Sequence, residues 1–295
     1  MATADTEKQW TILSLIRWSE EYLAEKGIDS PRLNAELMLA SALECKRIDL
    51  YTRFDKPLVR EELDRYKALF VRRIKKEPLQ YILGHADFYG RRFSVCPDVL
   101  IPRPETEHLI EATIEIVKEK DIRSPGILDI GTGSGCIAIT LAAEIQGAVV
   151  TALDVSDRAL KCADGNATLH AVGDRINFKK INILDPYNAI PDSGSYDFIV
   201  SNPPYIPLRE WEKLPDEIKV HEPKYALTDE RDGLSFLRRL AELAPATLKP
   251  GGWLICEIGY GQFDEVRELF DTSGARDIKH WYDLAGIKRI IGGHW

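Results

Sequence analysis

At 295 residues the chain has room for two domains, or for one large domain with an extension. Its 44% apolar and 29% charged content is that of an ordinary soluble globular protein, and no run of about 18 apolar residues suggests a membrane span. A net charge of −8 argues against a dedicated nucleic-acid binder, though not against a local basic patch.

The chain starts Met1-Ala2-Thr3-Ala4-Asp5 and continues into an amphipathic helix, with no basic start and apolar core of the kind a secretory leader needs. Two apolar stripes at helical spacing follow, Trp10, Leu13, Ile16, Arg17, Tyr22 and Leu23, then Leu33, Leu37, Met38 and Leu39. Pro31 after Asp29-Ser30 marks a helix start, where Ser or Asp can act as cap. A third helical segment, Val59 to Lys76, carries Leu63, Tyr66, Phe70 and Ile74 among many charges. Residues 56–76 hold eight Lys/Arg against three Asp/Glu. That excess reads first as a solvated helix face, and alternatively as a docking surface for an acidic or RNA-bound partner. Residues 1–78 are therefore expected to form a small N-terminal helical domain that binds a partner.

Residues 79–104 read as a strand-pair linker. Leu79-Gln80-Tyr81-Ile82-Leu83 forms one strand, Gly84 to Gly90 the turn region, and Arg92-Phe93-Ser94-Val95 the other, before Pro97, Pro102 and Pro104 break regular structure. A helix follows from Glu105 to Lys120. From residue 126 the pattern alternates: strands at Gly126–Ile130, Ala148–Leu153, Ile176–Ile183, Tyr196–Val200 and Trp253–Ile258, with helices at Cys136–Ile145, Arg158–His170, Asp232–Leu248 and Gln262–Phe270. Two strand-like runs, Asp277–Tyr282 and Ile287–Ile291, close the chain. The expected class is α/β, with residues 105–295 forming a Rossmann-like, seven-stranded mixed sheet whose final hairpin adds an antiparallel edge.

Leu128-Asp129-Ile130-Gly131-Thr132-Gly133-Ser134-Gly135-Cys136 is a strand running into a glycine-rich turn and then a helix. Such a turn reaches positive φ and lets a ligand approach the backbone closely, and the helix start offers unpaired N–H groups. About twenty residues on, Asp154 ends the next strand, where a carboxylate accepts hydrogen bonds from ribose hydroxyls. A dinucleotide and S-adenosylmethionine both suit this arrangement. The spacing Gly-x-Gly-x-Gly and the preceding Asp129 favour the second, which has no pyrophosphate but carries an amino-acid group and a sulfonium. Asp185, after the third strand, is expected near the adenine ring, or else serves only as a turn residue before Pro186.

The strand Tyr196-Asp197-Phe198-Ile199-Val200-Ser201 ends in Asn202-Pro203-Pro204-Tyr205-Ile206-Pro207. Prolines lack N–H groups, so this loop presents carbonyl acceptors without competing donors, and Asn202 adds a side-chain carbonyl. Tyr205 offers a flat face to a planar amide or base. Acceptors of this kind suit an –NH₂ substrate: hydrogen bonds from both N–H groups raise electron density on an otherwise weak nucleophile and aim it at the methyl donor. In an open α/β sheet both loops face the crevice beyond the strands' carboxyl ends.

With these motifs in place, the chain resembles the peptide chain release factor glutamine methyltransferases, the PrmC/HemK family. The resemblance rests on Pro78-Leu79-Gln80-Tyr81-Ile82-Leu83-Gly84, Phe88-Tyr89-Gly90 and Leu100-Ile101-Pro102-Arg103-Pro104-Glu105-Thr106-Glu107. The glycine loop, Asn202 to Tyr205, Asp232-Gly233-Leu234 and Pro250-Gly251-Gly252 agree in order and spacing. It implies methyl transfer from S-adenosyl-L-methionine, leaving S-adenosyl-L-homocysteine, to the glutamine of the Gly-Gly-Gln motif in bacterial-type class-one release factors. Carried over by position, it implies that Gly131, Thr132, Gly133, Ser134, Gly135 and Asp154 bind the cofactor and that Asn202 touches both cofactor and glutamine. Pro203 and Pro204 then bind the substrate with Tyr205, which lies against the amide; Asn202, Pro203 and Tyr205 form the catalytic set. Pro186 stands where relatives often carry an aromatic, which bears on the adenine contact at Asp185.

Competing functions fare worse. Adenine-N6 DNA methylation shares Asn-Pro-Pro-Tyr but needs a basic surface and a means of extracting a base, so no direct DNA binding is expected. Methylation of a ribosomal protein glutamine is the nearer alternative. A nicotinamide oxidoreductase would need a proton relay, and none of the six histidines sits in a telling motif. The five cysteines are scattered, without zinc or redox spacing, and fit free thiols in the cytoplasm; no metal is expected.

Overall fold

Apolar residues at helical spacing build the first of two compact units, which reaches to Gly84. The structure is a computed structural model and describes residues 9–295, so the reading of Met1 to Asp5 as no leader lies outside the described residues. Among the described residues five helices make this unit: α1 (Ile12–Glu25), α2 (Pro31–Ala42), α3 (Arg47–Thr52), α4 (Arg60–Ile74) and α5 (Leu79–Leu83). In α1 the buried stripe is Ile12, Leu15, Ile16, Ser19 and Leu23, shifted from the expected one, and Arg17 faces solvent. In α2 Met38 and Leu39 are buried as expected, but Leu33 is exposed and the small Ala35 and Ala42 take the core positions. Thr11 caps α1 in a reciprocal pair with Ser14, whereas Ser30 makes no side-chain cap for α2. There Asn34 Nδ2 donates back to the Asp29 and Ser30 carbonyls.

The basic segment is neither wholly solvated nor wholly a docking face. Arg73 is buried and donates to Asn34 Oδ1 at 2.7 Å and to the Glu77 carbonyl, while Arg72 pairs with Glu77. These two cations hold the C-terminal end of α4 to its own unit.

Residues 79–83 are a helical turn, not a strand. Pro78 stands at its N-cap and Gly84, with φ +77°, ends it in the left-handed region that glycine tolerates. The hairpin instead comprises β1 (His85–Phe88) and β2 (Arg91–Ser94), joined by Tyr89-Gly90 with φ +49° and +69°. These residues belong to the second unit, His85–Trp295.

After a single 3₁₀ turn at Pro104–Thr106, the second unit runs α6 (Glu107–Glu119), β3 (Gly126–Ile130), α7 (Cys136–Glu144), β4 (Val149–Asp154), α8 (Asp157–Leu169), β5 (Ile176–Lys180) and β6 (Tyr196–Ser201). Two short helices follow, α9 (Leu208–Trp211) and α10 (Asp216–His221). Then come α11 (Ser235–Thr247), β7 (Leu248–Glu257), α12 (Phe263–Thr272), β8 (Arg276–Tyr282) and β9 (Lys288–His294). The sheet order is β5-β4-β3-β6-β7-β9-β8, parallel through β7 and antiparallel at β9 and β8. The closing hairpin therefore inserts β9 beside β7 and leaves β8 at the edge.

Both faces of the sheet are covered, which is why its central strands read as largely apolar runs. Ile127, Phe198, Val200 and Trp253 face one core with Ile110 and Ile137; Leu128, Ile199 and Leu254 face the other with Leu237 and Phe270. Strand order reverses between β3 and β6, where the following helices leave for opposite faces and a crevice opens beyond the carboxyl ends.

Candidate active site

The glycine loop occupies that crevice. Gly131, Gly133 and Gly135 have φ of +78°, +56° and +81°. The Gly131 and Thr132 amides both donate to the Leu153 carbonyl, at 2.8 and 2.9 Å, so the turn is tied to the end of β4. Asp154 accepts from the Gly133 amide through one oxygen and from the Ser156 amide through the other, each at 2.9 Å. Gly135 acts in packing. A Cβ there would sit 2.9 Å from Ile139 Cδ1 and 3.0 Å from Ala163 Cβ, so glycine allows α7 and α8 to close together.

Beneath the loop lies Asp129, fully buried. The Thr132 hydroxyl donates to its Oδ2 at 2.6 Å, while Asp129 Oδ1 and the Ser134 hydroxyl have no partner. Burial pushes the Asp129 carboxyl up to about 7, against the Thr132 hydrogen bond that lowers it. The folded protein thus holds this proton more tightly than the unfolded chain. Asp129 contributes its full stability below the ordinary carboxylate range and loses it as pH rises towards 7. Asp129→Asn, which cannot ionise, is expected to gain on wild type in urea unfolding between pH 5 and 8. The expected gain is on the order of a few kcal/mol by pH 8; parallel pH profiles for the two proteins would refute it.

A cavity opens in front of the loop. Ile130, Gly131 and Gly133 form its floor, Asp154 and Val155 one side, and Ile181, Asn182 and Ile183 the next. Ser201 to Pro204 close the opposite side, with Phe236 from α11. Its outer wall pairs Asp98, Val99 and Leu100 with Tyr225 and Ala226, and the Tyr225 hydroxyl donates to the Asp98 carbonyl at 2.8 Å.

Asp185 is not on this wall. β5 ends at Lys180 rather than Ile183, and the chain then turns, with Asn182 Oδ1 accepting from the Leu184 amide. Asp185 lies in the segment that follows, where it accepts from the Tyr187 amide and Asn188 Nδ2. Thr132, Ser134 and Gly135 likewise shape the loop from behind without lining the cavity.

A second cavity adjoins the first and is lined by Arg103, Tyr205, Ile206, Ile218 and Leu227. The two share Leu100, Asn202, Pro203 and Ala226, so the Asn202-Pro203 turn forms the partition between them. Tyr205 is held from several sides. Its hydroxyl donates to Glu257 Oε1 at 3.0 Å, its carbonyl accepts from Gln262 Nε2 at 2.9 Å, and burial beside Glu257 raises its phenol well above the ordinary range. No histidine lines either cavity, and no cluster of metal-binding side chains occurs among the described residues.

Sequence patterns point to the glycine loop, Asp154 and Asn202 to Tyr205. They do not point to Tyr225, Ala226 and Phe236, which come from irregular or helical segments with no motif, nor to Thr106 and Glu257 behind the loop. Glu257 does leave a trace, as a carboxylate in the otherwise apolar run Trp253 to Ile258.

Comparison with known proteins identifies relatives of this chain. The family model described as PrmC N-terminal domain matches residues 14–84, and that described as Methyltransferase small domain matches residues 110–214. The release factor glutamine methyltransferase of Geobacter sulfurreducens is 42% identical over 98% of this chain and 99% of its own. That of Chlorobaculum tepidum is 43% identical, covering 96% and 97%. Among solved structures, the hMettl16 catalytic domain in complex with a MAT2A 3′UTR hairpin superposes with a TM-score of 0.56 at 18% identity, over 79% of this chain and 81% of that one; this shows a shared fold. The methyl donor is S-adenosylmethionine, and the chain belongs to the release factor glutamine methyltransferase family.

Proposed function

We propose that this enzyme methylates the side-chain amide nitrogen of the glutamine in the Gly-Gly-Gln motif of bacterial-type class-one release factors, in the cytoplasm. The observation that carries the reading is the partition: one turn, Asn202-Pro203, borders both cavities, so a donor in the first and an acceptor in the second would meet across it.

The first cavity fits the donor's parts. Gly131 and Gly133 allow close backbone approach, Asp154 is placed for ribose hydroxyls, and Val155, Ile183 and Phe236 offer apolar surface for a base. Thr132, Ser134 and Gly135 keep the loop in shape, and Asp185 stands outside the cavity. When bound, S-adenosylmethionine supplies a methyl group on positively charged sulfur and leaves S-adenosylhomocysteine.

Everything else falls to the protein. Asn202 Oδ1 and the Pro203 carbonyl accept the two N–H groups of the glutamine amide, and the Tyr205 ring lies along its plane, with Pro204 stiffening the turn. An amide nitrogen is a poor nucleophile because its lone pair is delocalised. Two accepted hydrogen bonds raise its electron density, and they strengthen as positive charge develops during transfer. The methylated nitrogen then sheds a proton readily, so no strong base is required. The helical unit, with the remaining exposed cations of residues 56–76, is the proposed docking element for the release factor.

Mass spectrometry of a purified release factor incubated with enzyme and donor tests this. One added methyl on the Gly-Gly-Gln glutamine is expected, lost when that glutamine is replaced by glutamate. Methylation of another protein or of DNA adenine, with the release factor untouched, would overturn the assignment.

A further inference from the structure

Asn202 can turn either of two groups towards an acceptor amide, and only one serves. Its Oδ1 accepts an N–H, whereas its Nδ2 would confront the substrate nitrogen with another donor. What selects between them lies outside the loop. Asn202 Nδ2 donates to Thr106 Oγ1 at 3.0 Å, and the Thr106 hydroxyl donates to Glu257 Oε2 at 2.6 Å. The other Glu257 oxygen accepts from the Tyr205 hydroxyl at 3.0 Å. Thr106 is 2% exposed and Glu257 1%, and neither lines either of the two cavities described above.

The polarity of this chain follows from counting protons. In its ionised form Glu257 only accepts, and Thr106 and Tyr205 then both donate to it, as their hydrogen bonds are arranged. A hydroxyl has a single proton; once it is given to Glu257, Thr106 has only lone pairs left, and these select the –NH₂ side of Asn202. Burial raises the Glu257 carboxyl above its ordinary range, while the hydrogen bonds from Thr106 and Tyr205 and the charge of Arg289 favour the ionised form. We infer that Glu257, acting through Thr106, fixes the orientation of the Asn202 amide so that its oxygen faces the acceptor, and through Tyr205 fixes the other side of the same cradle. Both are positioning residues, and their role in turnover rests on the function proposed above.

Thr106→Val keeps the shape and removes the relay; Thr106→Ser keeps the hydroxyl. Thr106→Val is expected to lower kcat by about 10²-fold, with S-adenosylhomocysteine affinity close to wild type and a thermal midpoint lower by several degrees because Glu257 loses a buried partner, and Thr106→Ser to restore most of both. Glu257→Gln presents a donor as well as an acceptor, scrambles the polarity, and is expected to resemble Thr106→Val. If Thr106 acts through Asn202, Thr106→Val adds nothing further to Asn202→Ala under single-turnover conditions. A second readout needs no acceptor. The Asn202 side-chain amide resonances, identified by their loss in Asn202→Ala, should move in Thr106→Val and Glu257→Gln but not in Thr106→Ser. A wild-type enzyme inactive on the release factor that still shows these shifts would sink the substrate assignment and support the relay. An active wild type whose turnover and Asn202 resonances are unchanged by Thr106→Val overturns the relay.

Discussion

Asn202→Ala is expected to lower methyl transfer to the release factor by roughly 10²–10³-fold, the loss typical of one preorganised polar group at a reacting centre. S-adenosylhomocysteine affinity should fall much less. The first cavity keeps its glycine floor, Asp154 and its apolar sides, none of which depends on Asn202. The second loses the side-chain oxygen proposed to align the acceptor nitrogen. Asn202→Asp should not rescue. A carboxylate cannot donate to Thr106, whose own proton is engaged by Glu257, so it would set a second anion beside a buried one. Single-turnover transfer of labelled methyl, with calorimetry of S-adenosylhomocysteine, measures both quantities. Equal losses in turnover and in cofactor affinity would mean that Asn202 belongs to the cofactor site alone.

Those parts of the site that depend on local backbone chemistry are readable from the chain. A glycine-rich turn after a buried strand, and a proline-rich turn after another, meet because parallel strands end on the same side of the sheet. Where sequence and structure part, the causes are equally physical. Leu79 to Leu83 is too short for apolar periodicity to separate helix from strand, and Leu79, Ile82 and Leu83 fit helical spacing as well as a buried strand. The better signal is the punctuation, Pro78 before and Gly84 after, which is that of a helix. Asp185 does not line the cavity: β5 ends three residues earlier than its apolar pattern suggests, and the carboxylate is engaged by the Tyr187 amide and Asn188 in the turn that follows. Arg73 lies in a run of charges that reads as solvated surface, yet its partners Asn34 and Glu77 bury it. Thr106 and Glu257 stand 151 positions apart, and no local pattern announces a hydrogen bond across that separation.

Gly233→Ala is the sharper test of how the acceptor loop is held, because Gly233 touches neither cavity. Its φ of +83° already costs an L-residue about 1–2 kcal/mol. A Cβ there would also stand 2.3 Å from the Tyr205 carbonyl oxygen, 3.0 Å from the Pro207 nitrogen and 3.1 Å from Gln262 Nε2. The first two are backbone atoms of the acceptor loop and cannot rotate aside, so the loop itself must move. Movement breaks the Gln262 hydrogen bonds to the Tyr205 and Gly233 carbonyls and loosens Tyr205 on Glu257. The expected result is a thermal midpoint lower by several degrees and a turnover loss of about 10²-fold or more, with S-adenosylhomocysteine affinity nearly kept. Gly165→Ala supplies the contrast. That glycine is exposed in α8 with open space around its Cβ position, so alanine should stabilise the helix by roughly 0.5–1 kcal/mol and leave turnover alone. If Gly233→Ala instead behaved like Gly165→Ala, the loop would have room to shift without consequence, and tight placement of Tyr205 could not be part of how the amide is aligned.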